Sequence, residues 1–193
     1  FVSELYATHR ATRCLFPGHW ARDVTRVMKV IHQRFNRYGL ELHPEKTRKF
    51  QFTPPQGETG SQQSESFDFL GFTHYWRRTR AGRWRLAVKT RKGRFRKAVK
   101  AITEFCRRQR QKSVKEQHTS LSRRLAGHYN YFGVNGNFEA LGRQMQEAKR
   151  IWFKWLNRRS QRSSYTWDRF NRMLKALPLP RPRIKVFLWR AAP

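Results

Sequence analysis

The chain has 193 residues, 38% of them hydrophobic, with 15 Phe, 7 Trp and 6 Tyr; that is enough bulky apolar surface to offset chain ordering, and it excludes disorder throughout. Against 12 Asp and Glu stand 43 Lys and Arg, a formal net charge of +31, so a polyanion is the expected partner and self-association is opposed. No stretch reaches the ~20 apolar residues of a membrane-spanning helix, and Glu4, His9 and Arg10 lie where a signal peptide needs an apolar run.

Phe1 to Trp20 shows no clear period and is punctuated by Pro17-Gly18, so residues 1–20 are expected to be irregular. From Ala21, the recurrence of Val24, Val27, Met28, Ile31, Phe35 and Tyr38 predicts an amphipathic helix, with Gly39 placed to cap it in the left-handed region. Phe50-Gln51-Phe52 alternates like a short strand, and the Gln-, Ser-, Pro- and Gly-rich residues 54–66 read as a surface loop. Phe67 to Trp76 reads as one buried strand, which Ala81-Gly82 turns into a partner at Trp84 to Val88. Three helical stripes follow: Phe95, Val99, Ile102 and Cys106; then Val114, His118, Leu121, Leu125, Tyr129 and Phe132; then Phe138, Leu141, Met145, Ala148, Trp152 and Trp155. Gly133 to Gly136 separates the last two. A final short helix is expected from its N-cap Thr166 through Phe170 and Leu174 to Leu177, where Pro178 and Pro180 stop it. The predicted fold class is therefore α+β, mainly α: a β-hairpin followed by a three-helix bundle.

The charge is concentrated. Residues 77–112 hold sixteen Lys and Arg and one acid, Glu104, a net +15 in 36 residues. Because the apolar positions in this window keep strand and then helix periods, these charges decorate folded elements and do not form a tail. Arg77, Arg78, Arg80, Arg83, Lys89, Arg91, Lys92, Arg94, Arg96 and Lys97 are accordingly the candidate phosphate contacts, as forks and point charges on a hairpin and a helix. Trp76, Trp84 and Phe95 interleave with them and could stack on bases, although each taken singly is better read as core.

Catalytic chemistry is not visible. Two-metal polymerases and nucleases need closely placed carboxylates, and neither Asp-Asp nor Asp-x-Asp occurs. Asp68 is expected to be a structural hydrogen-bond acceptor, and His118 and His128 to be satisfied or surface histidines. Cys14 and Cys106 lie far apart without C-x-x-C spacing, which argues against a disulfide scaffold or zinc site and suits a reducing cytosol. Both thiols are read as small apolar groups.

Several segments resemble one family in its own order. Gly39 to Thr47 (GLELHPEKT) is similar to the block after the catalytic Asp-Asp strand of group II intron reverse transcriptases, and Phe69-Leu70-Gly71-Phe72 to the block at the palm-to-thumb junction. Gly127 to Val134 (GHYNYFGV) resembles the signature of the maturase-specific domain. Trp152 to Gln161, Thr166-Trp167 and Pro178 to Ile184 resemble its end. The likeness covers about residues 24–187.

The resemblance implies 21–90 as the end of a polymerase palm and 91–193 as the thumb or maturase domain. It implies binding of group II intron RNA for splicing, and of an RNA/DNA template-primer. The positions Lys46, His128, Tyr129, Arg158 and Arg159 join the candidate RNA-binding residues through the matching blocks, and Arg48, directly after the first block, is added to them. No cofactor is expected in this chain; Mg2+ belongs to the intact family enzyme, whose Tyr-Ala-Asp-Asp strand has no match in Ser3 to Trp20. Reverse transcription by these residues alone is not expected. The further partner implied is an upstream polymerase portion, with no membrane, in a bacterial cytoplasm and bound to nucleoid or ribonucleoprotein. Two alternatives stay open: part of an active RNA-directed DNA polymerase whose aspartates lie upstream, and a basic protein that binds any polyanion.

Overall fold

Helix predominates in a mixed α+β architecture, as the computed structural model shows for residues 2–7, 12–17, 20–41, 47–55, 66–159 and 164–188. The chain divides into two compact units, Phe1–Ala87 and Val88–Pro193. The sequence places the junction at residue 90; the division lies at 87, inside a strand.

In the first unit, residues 1–20 depart from the expected irregular segment. Strands β1 (Val2–Ala7) and β2 (Thr12–Pro17) pair antiparallel, with Val2 opposite Pro17 and Ala7 opposite Thr12. Strand β3 (Arg48–Phe50) pairs antiparallel with the other edge of β1, Ser3 opposite Lys49, which gives the order β2-β1-β3. That partner lies some forty residues downstream, so a local search for periodicity has no access to it.

Helix α1 (Ala21–Arg37) forms where predicted and buries Val24. Its end is a Schellman motif. Gly39, at φ 67°, donates to Asn36 O (3.1 Å), and Leu40 N–H to Phe35 O (2.9 Å), so two orphan carbonyls are satisfied.

The expected single strand 67–76 is broken in two. Strand β4 (Phe67–Phe69) reverses through Leu70-Gly71 into β5 (Phe72–Arg78), with Phe69 opposite Phe72 and Phe67 opposite His74. Both turn residues have positive φ, 48° and 87°, as a two-residue type I′ hairpin requires. Leucine is a poor residue for that turn, and the apolar run continues through it, so the reversal leaves no local signature. Strand β6 (Trp84–Thr90) completes the order β4-β5-β6. The short strand read at 50–52 ends at Phe50. Phe52 lies beyond it, edge-on to Phe67 (4.8 Å) and stacked on Trp76 (5.3 Å). Phe67 is buried and stacks on His74 at 4.7 Å. Asp68 accepts a 2.5 Å hydrogen bond from the Thr73 hydroxyl, the structural role expected of it.

The second unit contains helices α2 (Lys92–Arg108), α3 (Val114–Phe132), α4 (Phe138–Leu156) and α5 (Trp167–Ala176). The predicted stripes supply its core: Ile102 and Cys106, then Leu121, Leu125, Tyr129 and Phe132, then Leu141, Ala148, Trp152 and Trp155 are buried. Each fully buried Leu contributes about 1.5–3 kcal/mol. Phe138, read as core, is instead 56% exposed, while Ala140 and Leu141 of the same turn are buried. Ser113 and Glu116 form a reciprocal capping box on α3, and the Thr166 hydroxyl caps α5 by accepting from Arg169 N–H. Phe170, wholly buried, meets Trp152 edge-on at 5.7 Å, while Trp167 stacks on Phe153 at 4.0 Å.

Two buried amides bind the unit together. Asn137 Oδ1 accepts from Thr90 N–H (2.7 Å) and Nδ2 donates to Phe132 O (2.8 Å). Gln117 donates to Lys112 O (2.8 Å) and accepts from Trp152 Nε1 (3.0 Å), which fixes the α2–α3 connection to α4. Gln144 is also buried, but its Oε1 has no hydrogen-bond partner. The Pro-rich segment after α5 returns to the loop after α3. Lys185 and Val186 N–H both donate to Gly133 O, and Asn135 N–H to Val186 O.

Candidate nucleic-acid interface

In the first unit the cations gather at the tip of the β5–β6 hairpin. The turn is closed by Thr79 N–H to Arg83 O (2.8 Å) and Gly82 N–H to Thr79 O (3.0 Å), with Gly82 at φ 75°. Arg78 Nε donates to Gly82 O at 3.0 Å, so this guanidinium braces the turn. Arg77, Arg80, Arg83 and Arg85 are exposed, and residues 77–85 contain no acid. Arg48 opens β3, where its backbone pairs with Glu4; Lys46 lies outside the described residues.

In the second unit, Lys89 and Arg91 are exposed at the entry to α2. On α2 itself Lys92, Arg94, Arg96, Lys97 and Lys100 carry the charge, while Phe95 and Val99 are half-buried. The first turn of α2 has no acidic residue. Cations at this end oppose the helix dipole, whose partial positive charge resides on the first free N–H groups. The single acid, Glu104, faces Arg107 at 3.9 Å, near the far end.

The other candidates are less available. Tyr129 is 3% exposed, so it packs inside the unit and presents no ring to a base; burial pushes its phenol up to about 12. His128 is half-buried and stacks on Phe132 at 4.4 Å. Its Nε2 is buried without a hydrogen-bond partner, and burial lowers the imidazole to about 4, unlike the satisfied or surface histidine expected. Because the GHYNYFGV segment is helical, its period sends these side chains toward the core. His118 is satisfied, with Nε2 3.1 Å from Pro178 O. Arg159 donates to Lys112 O at 2.5 Å and so holds a loop, whereas Arg158 has its guanidinium 5.4 Å from the Trp155 ring. Trp76 and Trp84 are both half-buried.

Sequence reasoning missed a groove in the second unit. Between α2 and α4 lies a cavity of about 710 Å³, lined by Phe95, Arg96, Val99 and Lys100 on one side and by Arg143, Gln146, Glu147 and Arg150 on the other. The signal was the spacing 143, 146, 147, 150 on α4, a helical stripe of long polar side chains flanking the core stripe.

Among the described residues, no group of three or more His, Cys, Asp or Glu comes together as a metal-binding cluster, and no helix is long and apolar enough to cross a membrane. Cys106 is buried, and burial raises its thiol to about 12, so it stays protonated and unreactive, the apolar role expected of it. The Cys14 side chain lies outside the described residues. No protein-family model matches the chain, and no curated protein matches it significantly.

Proposed function

We propose that the chain is an RNA-binding module, the C-terminal portion of a group II intron reverse transcriptase/maturase, which grips intron RNA and the template-primer through arrays of cations on folded elements. The observation that carries this reading is the crowding of Lys92, Arg94, Arg96, Lys97 and Lys100 onto the first half of α2, with no acid in its first turn. Each cation within that first turn opposes the dipole at a cost of about 0.3–1 kcal/mol, and like charges on adjacent turns repel further. A bound phosphate backbone offsets both effects, because it attracts the cations and the helix N-terminus alike. The Arg-rich hairpin tip supports the same reading from the first unit. Binding would proceed by phosphate capture with release of counterions, and by recognition of RNA shape. Polymerisation would belong to aspartates outside these residues, and the setting would be a bacterial cytoplasm, on ribonucleoprotein.

The test is the salt dependence of binding to group II intron RNA. The triple change Lys92→Gln, Arg94→Gln and Lys97→Gln is expected to flatten the slope of log affinity against log salt by about 0.7–0.9 for each phosphate that the variant no longer neutralises. An unchanged slope removes α2 from the interface. Equal affinity for unrelated RNA of the same length rejects the intron assignment in favour of a general polyanion binder.

A further inference from the structure

The α2–α4 groove differs in kind from the cationic surfaces around it, because it combines an apolar floor with a charged rim. Phe95 and Val99, both half-buried, form that floor on α2. Arg96 and Lys100 stand on the same side, Arg143 and Arg150 on the other. The one acid in the lining, Glu147, is engaged by Arg150 at 3.2 Å, and Arg143 reaches Glu139 at 3.9 Å. Both are solvent-accessible pairs on one helix, which cost little to exchange for a better anion. Among the described residues, neither Arg96 nor Lys100 has an ion-pair partner.

We infer that this groove receives an unstacked nucleotide from single-stranded RNA, with the base against Phe95 and Val99 and the flanking phosphates on Arg96, Lys100, Arg143 and Arg150. The inference rests on the RNA-binding reading above and adds a strand-state preference to it. An acidic peptide would satisfy the rim but would leave the aromatic face without a flat partner, whereas every base has one. The cavity volume falls within the range of small-ligand sites, about 300–1,000 Å³. Two cations on each wall can hold the phosphates on either side of a single inserted base. A continuous duplex keeps its bases stacked and offers none to the floor.

The experiment uses the full chain, a fluorescent oligouridylate, and an RNA duplex of the same length. Phe95→Leu keeps an apolar side chain but removes the aromatic face. It is expected to weaken oligouridylate binding about tenfold while leaving duplex binding unchanged. The double change Arg96→Gln and Arg143→Gln should likewise act more strongly on the single strand. Equal binding of oligouridylate by Phe95→Leu and wild type overturns the inference, as does an equal loss on both RNAs. Competition by polyglutamate as strong as by unlabelled oligouridylate also overturns it, in favour of an acidic peptide. Should Phe95→Leu not fold, photocrosslinking of wild type to a 4-thiouridine strand decides: an adduct on the Phe95 peptide supports the inference, and adducts only elsewhere reject it. Duplex binding with an intact salt slope keeps the broader reading standing if the groove fails, so the two failures are distinct.

Discussion

Gly133 is a residue whose identity is dictated by proximity. Its φ of −75° suits any amino acid, yet a Cβ there would overlap Tyr129 O and lie 2.6 Å from Arg183 O. Backbone on both sides cannot yield cheaply, so Gly133→Ala is expected to destabilise the second unit by about 3 kcal/mol, read from urea midpoints. Undiminished stability would show that the returning segment is not seated on this loop. His128 carries a pH dependence of definite sign. Between pH 6.5 and about 4 the unfolded chain takes up a proton that the buried imidazole refuses. Stability is therefore complete above 6.5, falls across that window, and levels off below it. His128→Phe should weaken this dependence, although His74, also lowered by burial, will leave part of it in place. Midpoints measured on either side of the window check this, and an identical pH profile for the variant contradicts it.

Among the elements, the β4–β5 hairpin is held against a local preference. Leu70 sits at φ 48°, a region that costs an ordinary L-residue about 1–2 kcal/mol, and its side chain is 53% exposed. Leu70→Asn gives the Asn-Gly pair that a type I′ turn favours, and stabilisation by about 0.5–1 kcal/mol is expected in thermal or urea melts. A loss of stability would mean that the exposed leucine does more for the fold than its conformation costs. The cross-strand bond between Thr73 and Asp68 and the stacking of Phe67 on His74 are what hold the turn in register.

For the whole molecule the dominant quantity is the formal +31. At low ionic strength like charges interact across the Debye length of ~10 Å at 0.1 M, and the folded state bears this repulsion more than the expanded chain does. Raising the KCl concentration is therefore expected to increase Tm by several degrees while weakening RNA binding. A Tm that falls with salt would show that favourable ion pairs outweigh the repulsion. The described pairs, such as Arg22 with Asp23 at 3.9 Å, are exposed and worth little, which favours the first outcome.

The amino-acid sequence by itself determined the helical architecture of the second unit, because spacings such as Leu121, Leu125, Tyr129 and Phe132 place bulky side chains on one face, and caps such as Thr166 mark the ends. It also determined the sign and clustering of charge. Only the tertiary structure decided that β1 pairs with β3 as well as with β2, and that the run from Phe67 to Trp76 doubles back at Leu70-Gly71, a local turn that its leucine does not announce. It alone brought Phe95 and Arg96 to face Arg143 and Arg150 across a groove. The physical reason is range. Helical period and capping are written within a few residues, whereas the β1–β3 pairing and the α2–α4 groove arise from contacts whose two halves lie tens of residues apart.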